Sequence, residues 1–111
     1  MAAAAPSNSA SGRDGSGSER QTVRASIRGV VQGVFYRAWT KETADSLGLD
    51  GWVRNLPDGS VEAVFSGPSS SVDQMLTLSK RGPKSARVEQ VDVEPYKDDV
   101  GKGFEVKRGK Y

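Results

Sequence analysis

The chain has 111 residues, a formal net charge of +2 and neither cysteine nor histidine. That length suggests one domain. The missing residue types exclude disulfides, zinc–thiolate centres, thiol nucleophiles, imidazole bases and phosphohistidine chemistry.

Residues 1–21 contain alanine, serine, glycine and a proline, but no valine, leucine, isoleucine or aromatic. So little apolar surface does not offset the entropy of ordering, and the segment reads as a disordered tail. Arg13 and Arg20 would suit an organelle transit peptide; Asp14, Glu19 and the missing apolar stripe do not. There is no secretory core, and no run is long enough to span a membrane. The expected compartment is the cytoplasm, with a plastid or mitochondrial address in the tail as the alternative. Residues 22–111 remain for one modest core, and a monomer is the default for so polar a small domain. The slight cationic excess is weak support for a nucleic-acid partner.

From Val23 the chain alternates, with Val23, Ala25 and Ile27 on one side and Arg24, Ser26 and Arg28 on the other. That period predicts a half-buried strand reaching about Val31. After a glycine-containing loop, Tyr36, Trp39, Thr43 and Leu47 recur near helical spacing, predicting a helix from about Tyr36 to Leu47. Gly48 then stands where a left-handed cap wants glycine. "GWVRN" (51–55) and "SVEAVF" (60–65) flank "LPDG", a proline and Asp-Gly turn signal, and predict a hairpin. Val72, Met75, Leu76 and Ser79 predict a second helix ended by Gly82 and Pro83, with Ser70 and Asp73 as a capping pair. "ARVEQVDVEPY" (86–96) reads as a fourth strand, "KDDVGKG" as a loop and "FEVK" (104–107) as a short last strand. The fold class is therefore α+β, a ferredoxin-like split βαββαβ. It has two helices on one face of an antiparallel sheet, plus a short C-terminal strand. Unrelated functions share that layout, so it decides nothing about chemistry.

Chemistry concentrates in "GVVQGVFYRAW", residues 29–39, where the first strand meets the first helix. A helix start presents N–H groups with no internal partner and a partial positive charge. A glycine-containing loop leading into it can curl so that successive N–H groups converge on an anion. Arg37 falls in the first helical turn, where the dipole disfavours a cation unless an anion lies between it and the loop. Its planar guanidinium suits two phosphate oxygens. The residues alone leave two readings open: an anion site with phosphate as the leading anion, or a tight turn beside a solvated arginine. Asn55, before the turn, likewise either caps local backbone or holds a water near such a phosphate.

Three stretches carry a resemblance. "GVVQGVFYR" (29–37), "LGLDGWVRN" (47–55) and "DGSVEAVFSG" (58–67) closely resemble the acylphosphatases, in matching order and spacing, and the similarity runs from about Val23 to the C-terminus. The resemblance implies hydrolysis of carboxyl-phosphate anhydrides to carboxylate and inorganic phosphate. It implies that the backbone N–H groups of Gln32, Gly33, Val34, Phe35, Tyr36 and Arg37 hold the phosphate. Arg37 then falls on the family's phosphate-binding arginine and Asn55 on its water-orienting asparagine. Tyr36 stands where phenylalanine is usual; if buried, its hydroxyl needs a partner. Leu56 stands where some members carry threonine, so no threonine role carries over.

The residue chemistry agrees. An acyl phosphate has a good leaving group, so positioning a water and stabilising phosphoryl charge can suffice. Asp50 and Asp58 read as loop carboxylates rather than as a base. The resemblance implies that a substrate phosphate oxygen takes the proton, that no metal or cofactor is needed, and that the partners are the acyl phosphate and its phosphate product. Trp39 and Trp52 read as packing residues, with part of either ring available to border the acyl end. Glu62 and Glu105 read as solvent-facing, and "KRGPKSAR" (80–87) as a solvated helix end and loop. Two other classes compete. An RNA-binding module would want strand aromatics, which "VRASIRGV" lacks. A non-catalytic phosphate- or acyl-phosphate-binding regulator would keep the loop but would not need Asn55.

Overall fold

Alternation between residues 23 and 27 becomes strand β1 (Arg20–Val30) in the structure, a computed structural model that describes residues 19–108. The following elements are α1 (Tyr36–Ser46), β2 (Asp50–Asn55), β3 (Val61–Pro68), α2 (Ser69–Arg81), β4 (Arg87–Pro95) and β5 (Phe104–Val106). β1 starts earlier than its apolar pattern because backbone pairing needs no apolar side chain. Arg20 and Gln21 pair with Pro68 and Gly67, so two residues of the segment read as a tail belong to the strand. Residues 1–18 of that segment lie outside the described residues.

The strands form one sheet in the order β4-β1-β3-β2-β5. β1 pairs antiparallel with β3 and β4, and β2 with β3. β5 departs from the antiparallel expectation and adds parallel to β2. The register sets Val23 opposite Phe65, Ala25 opposite Ala63 and Ile27 opposite Val61, so one face of the sheet is continuously apolar. Both helices cover that face, α1 over β2 and β5, and α2 over β1, β3 and β4. α1 buries Tyr36, Thr40 and Ala44; α2 buries Val72, Met75 and Ser79. Each large apolar side chain removed from water contributes roughly 1.5–3 kcal/mol, which fixes the helices in place.

Two local expectations are corrected. The Ser70–Asp73 capping pair does not form: α2 begins at Ser69 with Pro68 at its N-cap and no side-chain cap bond. The early start follows from the entry to β1: the carbonyl of Glu19, just ahead of the strand, accepts from Ser69 N–H at 2.8 Å, and the Gln21 side chain accepts from Ser69 Oγ at 3.0 Å. Glu62 points away from the helices, yet it is buried rather than solvent-facing, at 5% exposure. Arg24 Nε and Arg54 Nε donate to its two carboxylate oxygens from the neighbouring strands, the second at 2.7 Å. Burial alone would raise its pKa; the two guanidinium hydrogen bonds outweigh it and hold the carboxyl below the usual glutamate range. Glu105 is exposed, as are Lys80 and Arg81 in the last turn of α2. No helix among the described residues is long and apolar enough to cross a membrane.

Candidate active site

The connection from β1 to α1 is made by residues 31–35, and its backbone is unusual at both ends of its second half. Gly33 adopts φ +74° with open space where a Cβ would stand. Phe35 adopts φ +64° and ψ 19°, the one non-glycine residue at positive φ among those described. That conformation costs an L residue roughly 1–2 kcal/mol. The Phe35 ring is 80% exposed, so packing of the side chain does not account for it.

The consequence lies in the backbone. A left-handed residue immediately before right-handed ones turns successive N–H groups toward one concave side. The N–H groups of residues 36–38 precede the helical bond from Trp39 N–H to Phe35 O at 3.0 Å. α1 has no side-chain cap bond and no acidic residue in its first turn. Those donors therefore face outward at the positive end of a helix, the arrangement that accepts an anion.

Arg37 projects from the same turn. Its Nη1 donates to Lys107 O at 3.4 Å, a long contact and the one side-chain hydrogen bond Arg37 makes among the described residues. A pocket of about 520 Å³ opens here, lined by Gly33, by Phe35 to Ala38, and from the C-terminal segment by Val106 and Arg108. No carboxylate among the described residues lines it. Gly33, Phe35, Tyr36 and Arg37 thus line one pocket.

Gln32, Val34 and Asn55 do not line that pocket. Val34 packs against the core. The Gln32 side chain turns to the hairpin, where Nε2 donates to Leu56 O and to Ser60 O, each at 2.8 Å. Leu56 N–H donates to the same Ser60 carbonyl at 2.9 Å, so Gln32 ties the loop to the residue after Asn55. Asn55 itself ends β2 opposite Val61. Its Oδ1 is buried and has no hydrogen-bond partner among the described residues. An unsatisfied buried acceptor costs roughly 1–3 kcal/mol, which a bound water would recover.

Tyr36 finds the partner its hydroxyl needs. The ring is buried and its OH donates to Ser79 O at 2.7 Å, in the last turn of α2, where carbonyls lack helical partners. Burial pushes this phenol up to about 12. Gly82, at φ +70°, lets the ring approach: a Cβ there would sit 3.0 Å from Tyr36 Cε2.

The flanking acids are structural. Asp58 Oδ1 accepts from Ser60 N–H at 2.9 Å and Ser60 Oγ at 2.6 Å, and these bonds hold its carboxyl below the usual range. Asp50 accepts from Gly103 N–H at 2.8 Å. Neither Trp39 nor Trp52 borders the pocket. Trp39 leans on Tyr36 at 5.4 Å between centroids, and Trp52 lies on the open sheet face with Lys107 Nζ 4.6 Å from its centroid. Among the described residues no group of three His, Cys, Asp or Glu is placed to hold a metal.

Val106 and Arg108 were missing from the sequence-derived site. Parallel pairing of Gly51 with Phe104 and Val53 with Val106 brings them there. Lys107 N–H extends that pairing by donating to Val53 O at 2.8 Å. No local signal announces such a pairing; the two adjacent cations after "FEV" are its only trace.

Comparison with known proteins gives one result by three routes. The family model for acylphosphatase matches residues 23–106. A protein of Rhizorhabdus wittichii described as acylphosphatase is 50% identical over 86 residues, covering 78% of this chain and 87% of that protein. One from Rubrobacter xylanophilus is 51% identical over 98 residues, covering 86% and 89%. The solved structure of an acylphosphatase from Coxiella burnetii superposes with a TM-score of 0.76 at 33% identity, covering 79% of this chain and 93% of that one.

Proposed function

This chain belongs to the acylphosphatase family, and from that premise we propose how its residues divide the hydrolysis of an acyl phosphate. The enzyme converts an acyl phosphate and water to a carboxylate and inorganic phosphate. The phosphoryl oxygens sit on the N–H groups around Gly33 to Arg37, and the Arg37 guanidinium closes the cradle from the first turn of α1. Both sets of donors are fixed before substrate arrives, so stabilising the charge of the transferring phosphoryl group requires little reorganisation.

Asn55 holds the attacking water, which donates one hydrogen bond to Oδ1. The water attacks phosphorus as the bond from phosphorus to the acyl oxygen breaks, and that electron pair leaves with the carboxylate. The leaving group is already a weak base and needs no protonation. The water's proton passes to a phosphoryl oxygen of the substrate, giving dihydrogen phosphate. This route fits a site where Asp50 and Asp58 are committed to backbone and serine donors and Tyr36 stays neutral. Positive potential comes from amides and Arg37, so the reaction is metal-independent. One chain supplies every role, in keeping with a monomer acting in the cytoplasm.

The observation that carries this reading is the left-handed Phe35 ahead of an uncapped α1, beside Arg37 in a pocket that no acid among the described residues lines. The test is steady hydrolysis of benzoyl phosphate by the purified protein with a chelator present. No turnover at neutral and mildly acidic pH, with phosphate still bound, would instead identify a non-catalytic binding protein.

A further inference from the structure

The basic run "KRGPKSAR" (80–87) takes no part in the phosphoryl cradle, yet the fold seats it at the same end of the sheet. α2 ends at Arg81, and the carbonyl of Ser79 accepts from the Tyr36 hydroxyl at the start of α1. Arg87 opens β4 opposite Val30, the last residue of β1 before the loop. Both ends of the run are therefore held against the segment that carries Phe35 and Arg37. Lys80, Arg81, Lys84 and Arg87 are all exposed. Arg28 and Arg54 lie at this end too, and its acids Asp58, Glu62 and Glu89 are outnumbered. Arg28 pairs with Asp58 at 3.5 Å, and Arg24 and Arg54 pair with Glu62.

Acids predominate at the opposite end. Asp45 lies in the last turn of α1, Asp50 opens β2, Asp73 comes early in α2, and Asp98 and Asp99 follow β4. The cations there are Arg20, which pairs with Asp50 at 3.5 Å, and the exposed Lys97 and Lys102. A formal net charge of only +2 is thus divided into a cationic end around the site and an acidic end away from it. An acyl phosphate carries roughly two negative charges at neutral pH. A field of this polarity raises its concentration at the mouth of the site before any contact forms, and such fields speed association by roughly 10–10³-fold.

We propose that Lys80, Arg81, Lys84 and Arg87 form an electrostatic collar that draws anionic acyl phosphates to the site, governing substrate capture without touching the reacting atoms. This rests on the hydrolase reading above. The collar acts on the free substrate, so it lowers KM and leaves the chemical step alone. Its effect depends on where the charges stand rather than on the net charge of the protein.

The measurement is kcat and kcat/KM for benzoyl phosphate as sodium chloride is raised. Four proteins are compared: the unsubstituted enzyme, a variant with all four collar residues changed to Gln, Lys84→Gln/Arg87→Gln, and Lys97→Gln/Lys102→Gln. The last two change net charge equally, at opposite ends of the molecule. At about 0.01 M ionic strength, where the screening length is about 30 Å, the four-residue variant loses about tenfold in kcat/KM. Its kcat does not fall, which also shows that it is folded. Lys84→Gln/Arg87→Gln loses part of that amount, and Lys97→Gln/Lys102→Gln changes little. The differences close toward about 1 M, where the screening length is about 3 Å. An unchanged kcat/KM in the four-residue variant, a loss that persists at high salt, or an equal loss in Lys97→Gln/Lys102→Gln overturns the collar while leaving the hydrolase reading intact. Failure of the unsubstituted enzyme to hydrolyse benzoyl phosphate overturns the hydrolase reading and this inference with it.

Discussion

Three consecutive residues do three different things. Phe35 bends the backbone, Tyr36 anchors the turn to α2, and Arg37 supplies charge. Tyr36 is the residue whose effect is most separable from chemistry. Tyr36→Phe leaves the Ser79 carbonyl without its donor, next to a Ser79 hydroxyl that is itself buried and unpartnered. The expected cost is about 1–3 kcal/mol, read from urea unfolding. The phenol also gives a pH signature. Its folded pKa of about 12 lies above the unfolded value near ~10. The folded state thus binds the proton more tightly, and this stability is complete below about pH 10 and lost as pH rises toward about 12. Tyr36→Phe should flatten that part of the alkaline unfolding curve; an unchanged curve would contradict the burial argument.

At the scale of elements, the site depends on contacts between segments distant in sequence. Gln32 bridges the β1–α1 loop to the hairpin that presents Asn55, and β5 brings the C-terminal segment against Arg37. Gln32→Met keeps length but removes both hydrogen bonds. It should lower kcat for benzoyl phosphate by about tenfold, because small displacements of a positioned group cost rate steeply. Gln32→Glu should not rescue it, since an ionised carboxylate cannot donate to two carbonyls; full activity in either variant would remove the bridge from the account. The elements themselves were largely legible. Period-two and helical spacing placed β1, α1, the hairpin and the buried face of α2, including Val72, Met75 and Ser79. What spacing could not supply was partner choice: neither the parallel seating of β5 nor the backbone tie from Ser69 N–H to Glu19 O at the start of α2 leaves a local pattern.

Across the whole molecule, the two sheet faces explain which parts of the site could be read. The helix-covered face is apolar and periodic, so it announces itself. The open face is held by Arg24, Arg54 and Glu62 across three strands, and an alternating glutamate looks solvent-facing until its cross-strand partners are known. Glycine and a first-turn cation have local meanings, so the loop and Arg37 stand out in the sequence; Val106 and Arg108, which line the same pocket, do not, because their placement is tertiary. The central claim is a division of labour, with Arg37 holding phosphate and Asn55 placing water. It is tested by measuring benzoyl phosphate turnover and competitive inhibition by inorganic phosphate in Arg37→Ala and Asn55→Ala. Arg37→Ala should lose both, with turnover down about 10³-fold. Asn55→Ala should lose turnover by at least about 10²-fold while phosphate still competes as in the unsubstituted enzyme. A fully active Asn55→Ala protein, or an Arg37→Ala protein that still binds phosphate normally, would contradict the account.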